Sequence, residues 1–182
     1  AKFPDVLTLE NVEENEDVMW QTLLPALDTA LDNFIKMRTI EGEALRKDIL
    51  LKCSKIKETT DNIAKRASVV PEEYRQKLKQ RLSELLENVP VDEQRIASEV
   101  LVFADRCCID EEITRLYSHI SQLESILDSE GAVGRKLDFI VQEMNREANT
   151  SASKSSDLLV TQYAIELKSE IEKIREQIQN IE

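Results

Sequence analysis

Apolar residues recur at steps of three and four along most of this chain, and that spacing limits its fold more than any other feature. The last stretch shows the spacing most regularly, at Val160, Ala164, Leu167, Ile171, Ile174, Ile178 and Ile181. Such spacing places apolar side chains on one face of an α-helix. Only three glycines and four prolines interrupt the 182 residues, so there are few points at which a helix must end. The sequence therefore predicts an all-α protein, in which long antiparallel or coiled-coil-like helices lead into a C-terminal helical bundle.

The same pattern divides the chain into three predicted parts. Residues 1–15 contain a proline and an acidic run, and we expect them to form a linker. Residues 16–90 should form a long helical, coiled-coil-like region, in which Pro25 kinks the first helix or marks its start and Pro71 begins a separate helix. Residues 91–182 should form a C-terminal helical domain.

Charge restricts the kind of partner that the chain can bind. The formal net charge is −12, and residues 91–182 carry 10 basic against 19 acidic side chains. This balance argues against non-specific binding of nucleic acid by the chain alone. It remains compatible with a carboxylate site for a divalent metal, because such a site requires concentrated negative charge. Aromatic residues make up only 4% of the chain, so an extended platform that stacks single-stranded bases is not expected.

The cysteines indicate a reducing compartment. Cys53, Cys107 and Cys108 form no CxxC pattern, and their number is odd. Reduced thiols are therefore predicted rather than a disulfide framework or a zinc site. The sequence contains no apolar run of membrane-spanning length and no signal peptide, so we predict a cytoplasmic protein.

The segment Gly134–Lys154 is the most unusual helical pattern. Its apolar face is formed by Leu137, Val141, Met144 and Ala148, and a polar stripe contains Arg135, Phe139, Gln142, Glu143, Arg146, Glu147 and Thr150. Beside this stripe lie Asn145 and Asn149, although asparagine is unfavourable inside a helix. Two explanations remain open, a solvated polar face and a functional surface. A polar loop that contains Lys154 is expected over residues 151–157.

A second stripe precedes that segment and contains the only histidine of the chain. Glu112, Arg115, His119 and Gln122 are spaced to share one side of a helix. A single histidine beside an apolar face is often structural. Its place in line with a glutamate and an arginine favours metal ligation or proton transfer, both of which imidazole performs near neutral pH.

Three sequence runs carry a family resemblance. They are ASEVLVFADRCCIDEEITRLYSHISQLESIL, GRKLDFIVQEMNREANTSASK and EIEKIREQIQNIE. Together they resemble the C-terminal part of the YicC (YloC-like) stress-induced endoribonuclease family, densely over residues 92–182 and collinearly over 1–91. Two positions depart from the family pattern, since Cys108 stands where the family usually has aspartate and Ala152 where it usually has glycine.

The resemblance implies a function and a larger protein. It implies a homo-oligomeric endoribonuclease that depends on a divalent metal, Mn²⁺ or Mg²⁺, and cleaves structured RNA. It also implies a further N-terminal domain before residue 1. Residues 1–15 would then link that domain to the helical region.

Residue chemistry then selects the candidate site. Phosphodiester cleavage assisted by a metal requires ligands for the cation and cationic groups for the phosphate. We assign the catalytic and metal-binding roles to Glu112, His119, Glu143 and Glu147. The candidate phosphate contacts are Arg115, Arg146 and Lys154, and Arg106, Arg135 and Lys136 are further candidate RNA contacts.

The alternative is a non-catalytic oligomeric helical adaptor that binds RNA or protein. In that case Glu143, Arg146 and Glu147 would form ordinary surface ion pairs, and His119 would be a packing residue. The seam from Val160 to Ile181 is equally open, because it could pack within one bundle or between subunits. The enzyme is favoured if the four predicted metal ligands face one cleft.

Overall fold

The computed structural model of the protein describes residues 15–85, 92–129, 131–179 and 181. In these ranges it contains five α-helices and no strand: α1 Glu16–Leu85, α2 Glu93–Arg106, α3 Asp110–Leu127, α4 Gly134–Lys154 and α5 Leu158–Ile178. The all-α prediction is therefore confirmed. None of the helices in the described ranges is long and apolar enough to cross a membrane.

Acidic side chains mark where three of the helices begin. The Asp92 carboxylate accepts hydrogen bonds from the backbone N–H groups of Gln94 and Arg95 at the start of α2. At the start of α5, the Asp157 carboxylate accepts one from Val160. The first turn of α3 is acidic throughout, at Asp110–Glu112. These groups satisfy free N–H donors or oppose the positive end of the helix dipole, which explains why the chain becomes helical at these points.

Two predicted boundaries in the helical pattern are wrong. The separate helix expected from Pro71 does not exist, because α1 continues through Pro71 as it does through Pro25. Proline removes one backbone hydrogen bond from a helix, but Arg66 donates two hydrogen bonds of 2.6 Å to the Glu73 carboxylate across that turn. This side-chain bridge joins the helix on both sides of the proline.

The other wrong boundary is the loop expected over residues 151–157. Helix α4 extends to Lys154 instead, and only residues 155–157 connect it to α5. The Ser151 hydroxyl donates to the carbonyl oxygen of Glu147, and the Ser153 hydroxyl donates to that of Thr150, both at 2.9 Å. These serines bond to their own helix and do not interrupt it, so their polarity is no sign of a loop.

The chain forms two compact units, Ala1–Glu43 and Ala44–Glu182. The predicted boundary at residue 91 stays a prediction. Within the second unit, Ile49, Cys53, Ile56 and Ile63 of α1 are buried in the same core as α3, α4 and α5. The predicted linker lies outside the described residues, apart from Asn15.

The first unit presents an apolar helical surface. Its described part, residues 15–43, belongs almost entirely to α1, and its large apolar side chains are all at least 40% exposed. They are Val18, Met19, Trp20, Leu23, Leu24, Leu27, Leu31, Phe34, Ile35, Met37 and Ile40. The helical spacing predicted here is confirmed, but none of these side chains is buried against the described residues of its own unit.

In the second unit, α4 packs against α3 and α5. The seam of α5 is used inside the chain, because Ala164, Leu167, Ile171 and Ile174 are fully buried. Helix α1 joins this core through its apolar stripe and through ion pairs such as Lys57–Glu124 at 2.8 Å. Of the two alternatives for the α5 seam, packing within one bundle is thus the correct one.

Candidate functional site

Helices α3 and α4 run antiparallel and form one groove between their polar stripes. The direction follows from cross-helix contacts, since Glu112 meets Lys154 and Arg115 meets Glu147, so that a step forward along α3 is a step backward along α4. Residues 128–133 connect the two helices, with Gly131 at φ 91°. That angle lies in the left-handed region, which glycine adopts without steric cost.

Three predicted metal ligands meet in the middle of this groove. One ligand atom each from His119, Glu143 and Glu147 lies within 4.8 Å of the others. His119 and Glu143 are half-buried, and Glu147 is only 3% exposed. The expected approach of His119 to the α4 carboxylates is therefore confirmed.

These groups suit a divalent cation on their chemistry. The Nδ1 atom of His119 is buried and has no hydrogen-bond partner among the described residues. A buried polar atom without a partner is destabilising unless another group satisfies it. Two carboxylates and an imidazole are ligands that first-row divalent metals accept. The residues present thus fit the metal that the family resemblance implies.

Cationic side chains border the same carboxylates. Arg115 Nη1 lies 3.3 Å from Glu147 Oε1, and its Nη2 donates to Glu111 at 2.5 Å. The hydrogen bond to Glu147, followed by the charge of Glu111, raises the pKa of Arg115. Arg146 Nη1 lies 3.9 Å from Glu143 Oε2 on the same helix. In both cases an exposed guanidinium stands beside a carboxylate that is less exposed.

The fourth predicted ligand, Glu112, lies further along the groove. It is 5% exposed, and its Oε1 accepts a hydrogen bond of 2.6 Å from Lys154. Its Oε2 is buried and has no hydrogen-bond partner in the described part of the chain. Seven residues separate Glu112 from His119, which is about 10 Å along the helix axis, and Glu112 does not belong to the group of three. The bond to Glu112 raises the pKa of Lys154.

The remaining candidate RNA contacts lie in two places. Arg135 and Lys136 are exposed in the first turn of α4, at the opposite end of the groove from Lys154. Arg106 is the last residue of α2 and is exposed. No hydrogen bond or ion pair within the described ranges joins Arg106 to the groove.

Sequence reasoning missed two groups that shape the site. Glu111 shares Arg115 with Glu147, and its spacing of four residues from Arg115 could have predicted the pair. Arg66 anchors Asp157, which caps α5 directly after the end of α4. That contact spans 91 residues of sequence, so no local pattern indicates it.

Known proteins of one family resemble this chain along its whole length. The family described as "Endoribonuclease YicC-like, C-terminal" matches residues 63–182, and the one described as "Endoribonuclease YicC-like, N-terminal region" matches residues 1–47. The "Probable endoribonuclease YicC" of Clostridioides difficile is 49% identical over 183 residues, which cover 100% of this chain. The protein of the same name from Haemophilus influenzae is 42% identical over 181 residues. The chain spans 62% of the length of each of these relatives.

Proposed function

Since the chain belongs to the YicC-like endoribonuclease family, as its resemblance predicted, we propose that it is the C-terminal part of a divalent-metal-dependent endoribonuclease that cleaves structured RNA. The observation that carries the proposal is the approach of His119, Glu143 and Glu147 to within 4.8 Å. The names of the relatives support RNA as the substrate. The metal and the preference for structured RNA are our inferences.

In this proposal His119, Glu143 and Glu147 hold the cation, which is Mn²⁺ or Mg²⁺. A bound divalent cation supplies positive charge to a phosphodiester and lowers the pKa of water. Glu147 is buried beside Arg115, so its charge is already compensated before a cation enters. The groove can therefore keep the two carboxylates of this group in one place without unfolding.

The cations of the groove would bind the RNA backbone. Arg115 and Lys154 retain 54% and 38% exposure of their side chains while paired with glutamates. Arginine has five N–H donors in a planar fork, so Arg115 can bind a phosphate while it contacts Glu147. Glu112 would hold Lys154 in position, and its second oxygen would accept a proton or a hydrogen bond from the substrate.

The exposed surface of the first unit supports self-association, which we also propose. Eleven large apolar side chains of residues 16–43 are at least 40% exposed, and contiguous apolar surface of this kind marks sites where proteins associate. A symmetric oligomer would cover the surface with a second copy. We place this assembly in the cytoplasm, where the three cysteines, all free in the structure, remain reduced.

The central test is cleavage of a labelled RNA hairpin by the whole protein, with Mn²⁺, with Mg²⁺ and with a chelator alone. We expect cleavage with metal and none with the chelator. Cleavage that persists in chelator would exclude metal dependence. Metal-supplemented protein that binds the hairpin without cleaving it would favour the adaptor. The chain of 182 residues, assayed in parallel, determines whether it suffices for activity.

A further inference from the structure

One aromatic side chain of the α3–α4 groove has no role in the proposal above. Phe139 is 61% exposed on α4. The other aromatic side chains described in the second unit, Tyr74, Phe103, Tyr117 and Tyr163, are all partly buried. Exposing an aromatic ring forgoes the stabilisation that its burial gives. An exposed ring beside charged groups is therefore accessible to a ligand.

The ring borders a hollow between the two helices. This hollow has a volume of about 450 Å³ and is lined by Gln122, Ile126, Arg135, Lys136, Phe139 and Ile140. Ile140 is buried and Ile126 is partly buried, so aliphatic side chains contribute to its walls. A ring, aliphatic walls and the amide of Gln122 suit a planar heterocycle that carries polar edges.

The charges at the hollow favour an anion next to that heterocycle. Arg135 and Lys136 are both exposed, and neither has a carboxylate partner among the described residues. By contrast, Arg115, Arg146 and Lys154 are each held by a glutamate. In a chain of net charge −12, two adjacent cations without a carboxylate partner in the described ranges offer a local site for a phosphate.

The hollow continues the groove that contains the candidate metal ligands. His119 and Gln122 lie one turn apart on α3, while Glu143 and Phe139 lie one turn apart on α4. Four residues advance a helix by about 6 Å. A strand whose phosphate lies at His119, Glu143 and Glu147 would thus place a neighbouring nucleotide at Phe139.

We propose that this hollow is a nucleotide subsite, in which Phe139 stacks on an unpaired base and Arg135 and Lys136 bind the adjoining phosphate. The inference rests on the proposed function and refines its substrate class. A base inside a duplex is covered by its neighbours, whereas a base in a loop or bulge is free to stack on a side chain. The RNA selected would carry an unpaired nucleotide within a few positions of the cleaved bond.

The test measures binding without cleavage. The whole protein in chelator is titrated with an RNA hairpin that carries a fluorescent base analogue in its loop, and with a fully paired duplex of the same stem. The variants are Phe139→Ala, Phe139→Trp and, as a control, Ile165→Ala, whose side chain on α5 is exposed to a similar extent, 63%. We expect Phe139→Ala to weaken hairpin binding by about 5- to 150-fold, as the loss of one stacked base should.

The pattern of results identifies the cause. Phe139→Trp should retain binding and the quenching of the analogue, while Ile165→Ala should match the wild type, and duplex binding should not change. Wild-type affinity of Phe139→Ala for the hairpin, equal losses for hairpin and duplex, or no quenching in the wild type would each overturn the subsite. So would a fall in particle mass of Phe139→Ala by light scattering that accounts for the lost binding, because Phe139 would then contact another chain.

Cleavage, measured separately from binding, distinguishes a failure of the subsite from a failure of the proposed nuclease function. If loop-dependent quenching is intact but added metal produces no cleavage, the subsite stands and the proposed nuclease function fails. If Phe139→Ala cleaves and binds the hairpin normally, the function stands and the subsite fails.

Discussion

Arg66 on α1 holds the Asp157 carboxylate that caps α5, through hydrogen bonds of 3.1 and 2.7 Å. The same guanidinium binds Glu73 across the turn that contains Pro71. These bonds raise the pKa of Arg66 and lower the pKa values of Glu73 and Asp157. One side chain therefore both bridges a weak turn of α1 and fixes the start of α5.

The first prediction concerns acid sensitivity at this contact. Because Arg66 lowers the pKa of Asp157 below its unfolded value, the contact stabilises the fold above about pH 4 and loses its effect as the pH falls through the folded pKa. Arg66→Met should therefore have a lower urea midpoint than the wild type at pH 7. The difference between the two midpoints should become smaller below pH 4. Arg75→Met is the control, since Arg75 forms an exposed pair with Glu72. A difference in urea midpoint between Arg66→Met and the wild type that is the same at pH 7 and pH 3 would contradict the prediction.

The second prediction concerns the α4 carboxylates. Glu143→Gln and Glu147→Gln should each lose RNA cleavage, because glutamine keeps the shape but lacks the charge that holds a divalent cation. Both variants should fold normally, since an amide oxygen at position 147 can still accept from Arg115. Hairpin cleavage and circular dichroism check the two statements. Glu166→Gln, at an exposed glutamate of α5, should retain full activity, and full turnover in both groove variants would remove them from the metal site.

The third prediction separates metal ligation from packing at His119. Removal of a metal ligand should weaken Mn²⁺ binding by at least about 10-fold, the lower end of the losses measured for outer-shell partners. His119→Ala should show this loss in calorimetry, in the absence of RNA, while its thermal midpoint stays close to that of the wild type. A lowered midpoint with unchanged Mn²⁺ affinity would instead assign His119 to packing.

The fourth prediction concerns the apolar seam of α5. Ile171 is fully buried within one chain, and truncation of a buried isoleucine leaves a cavity. Ile171→Ala should therefore lower the free energy of unfolding by about 2–5 kcal/mol. Its particle mass by light scattering should equal that of the wild type. A change in mass at retained stability would show that the seam packs between subunits.

The fifth prediction places self-association on the first unit. Whole protein at tens of micromolar should be larger than a monomer, and Leu27→Asp with Leu31→Asp should reduce its mass, because both side chains are exposed on α1 and a charge there opposes apolar contact. Leu158→Asp is the control, at an exposed leucine of the second unit. Monomeric wild-type protein would rule out the assembly.

Helical periodicity predicted the elements of the fold but not their ends. Leu137, Val141, Met144 and Ala148 are all fully buried, as their spacing requires. The ends of α1 and α4 were wrong because side-chain bonds at Arg66 and Ser151 carry the helices past residues that usually end them. Such bonds depend on which partner lies in reach, and periodicity does not contain that information.

The parts of the candidate site that lie on a single helix were predictable from the sequence. The stripes on α3 and α4 each follow from spacing, and packing of their apolar faces brings His119 to Glu143 and Glu147 as expected. The position of Glu112 could not be predicted from spacing in the same way. Its partner Lys154 is the last residue of α4, in a part of the chain that was predicted to be a loop.

The short connection through Gly131 has a consequence for the order in which the structure assembles. Contacts across the groove close short stretches of chain, 32 residues for Arg115–Glu147 and 42 for Glu112–Lys154. Contacts of α1 with α5 and the residues before it close longer ones, 91 residues for Arg66–Asp157 and 115 for Lys55–Glu170. Loop-closure entropy increases with length, and structures rich in local contacts form fastest. The α3–α4 hairpin can therefore bring its polar stripes together before α1 docks.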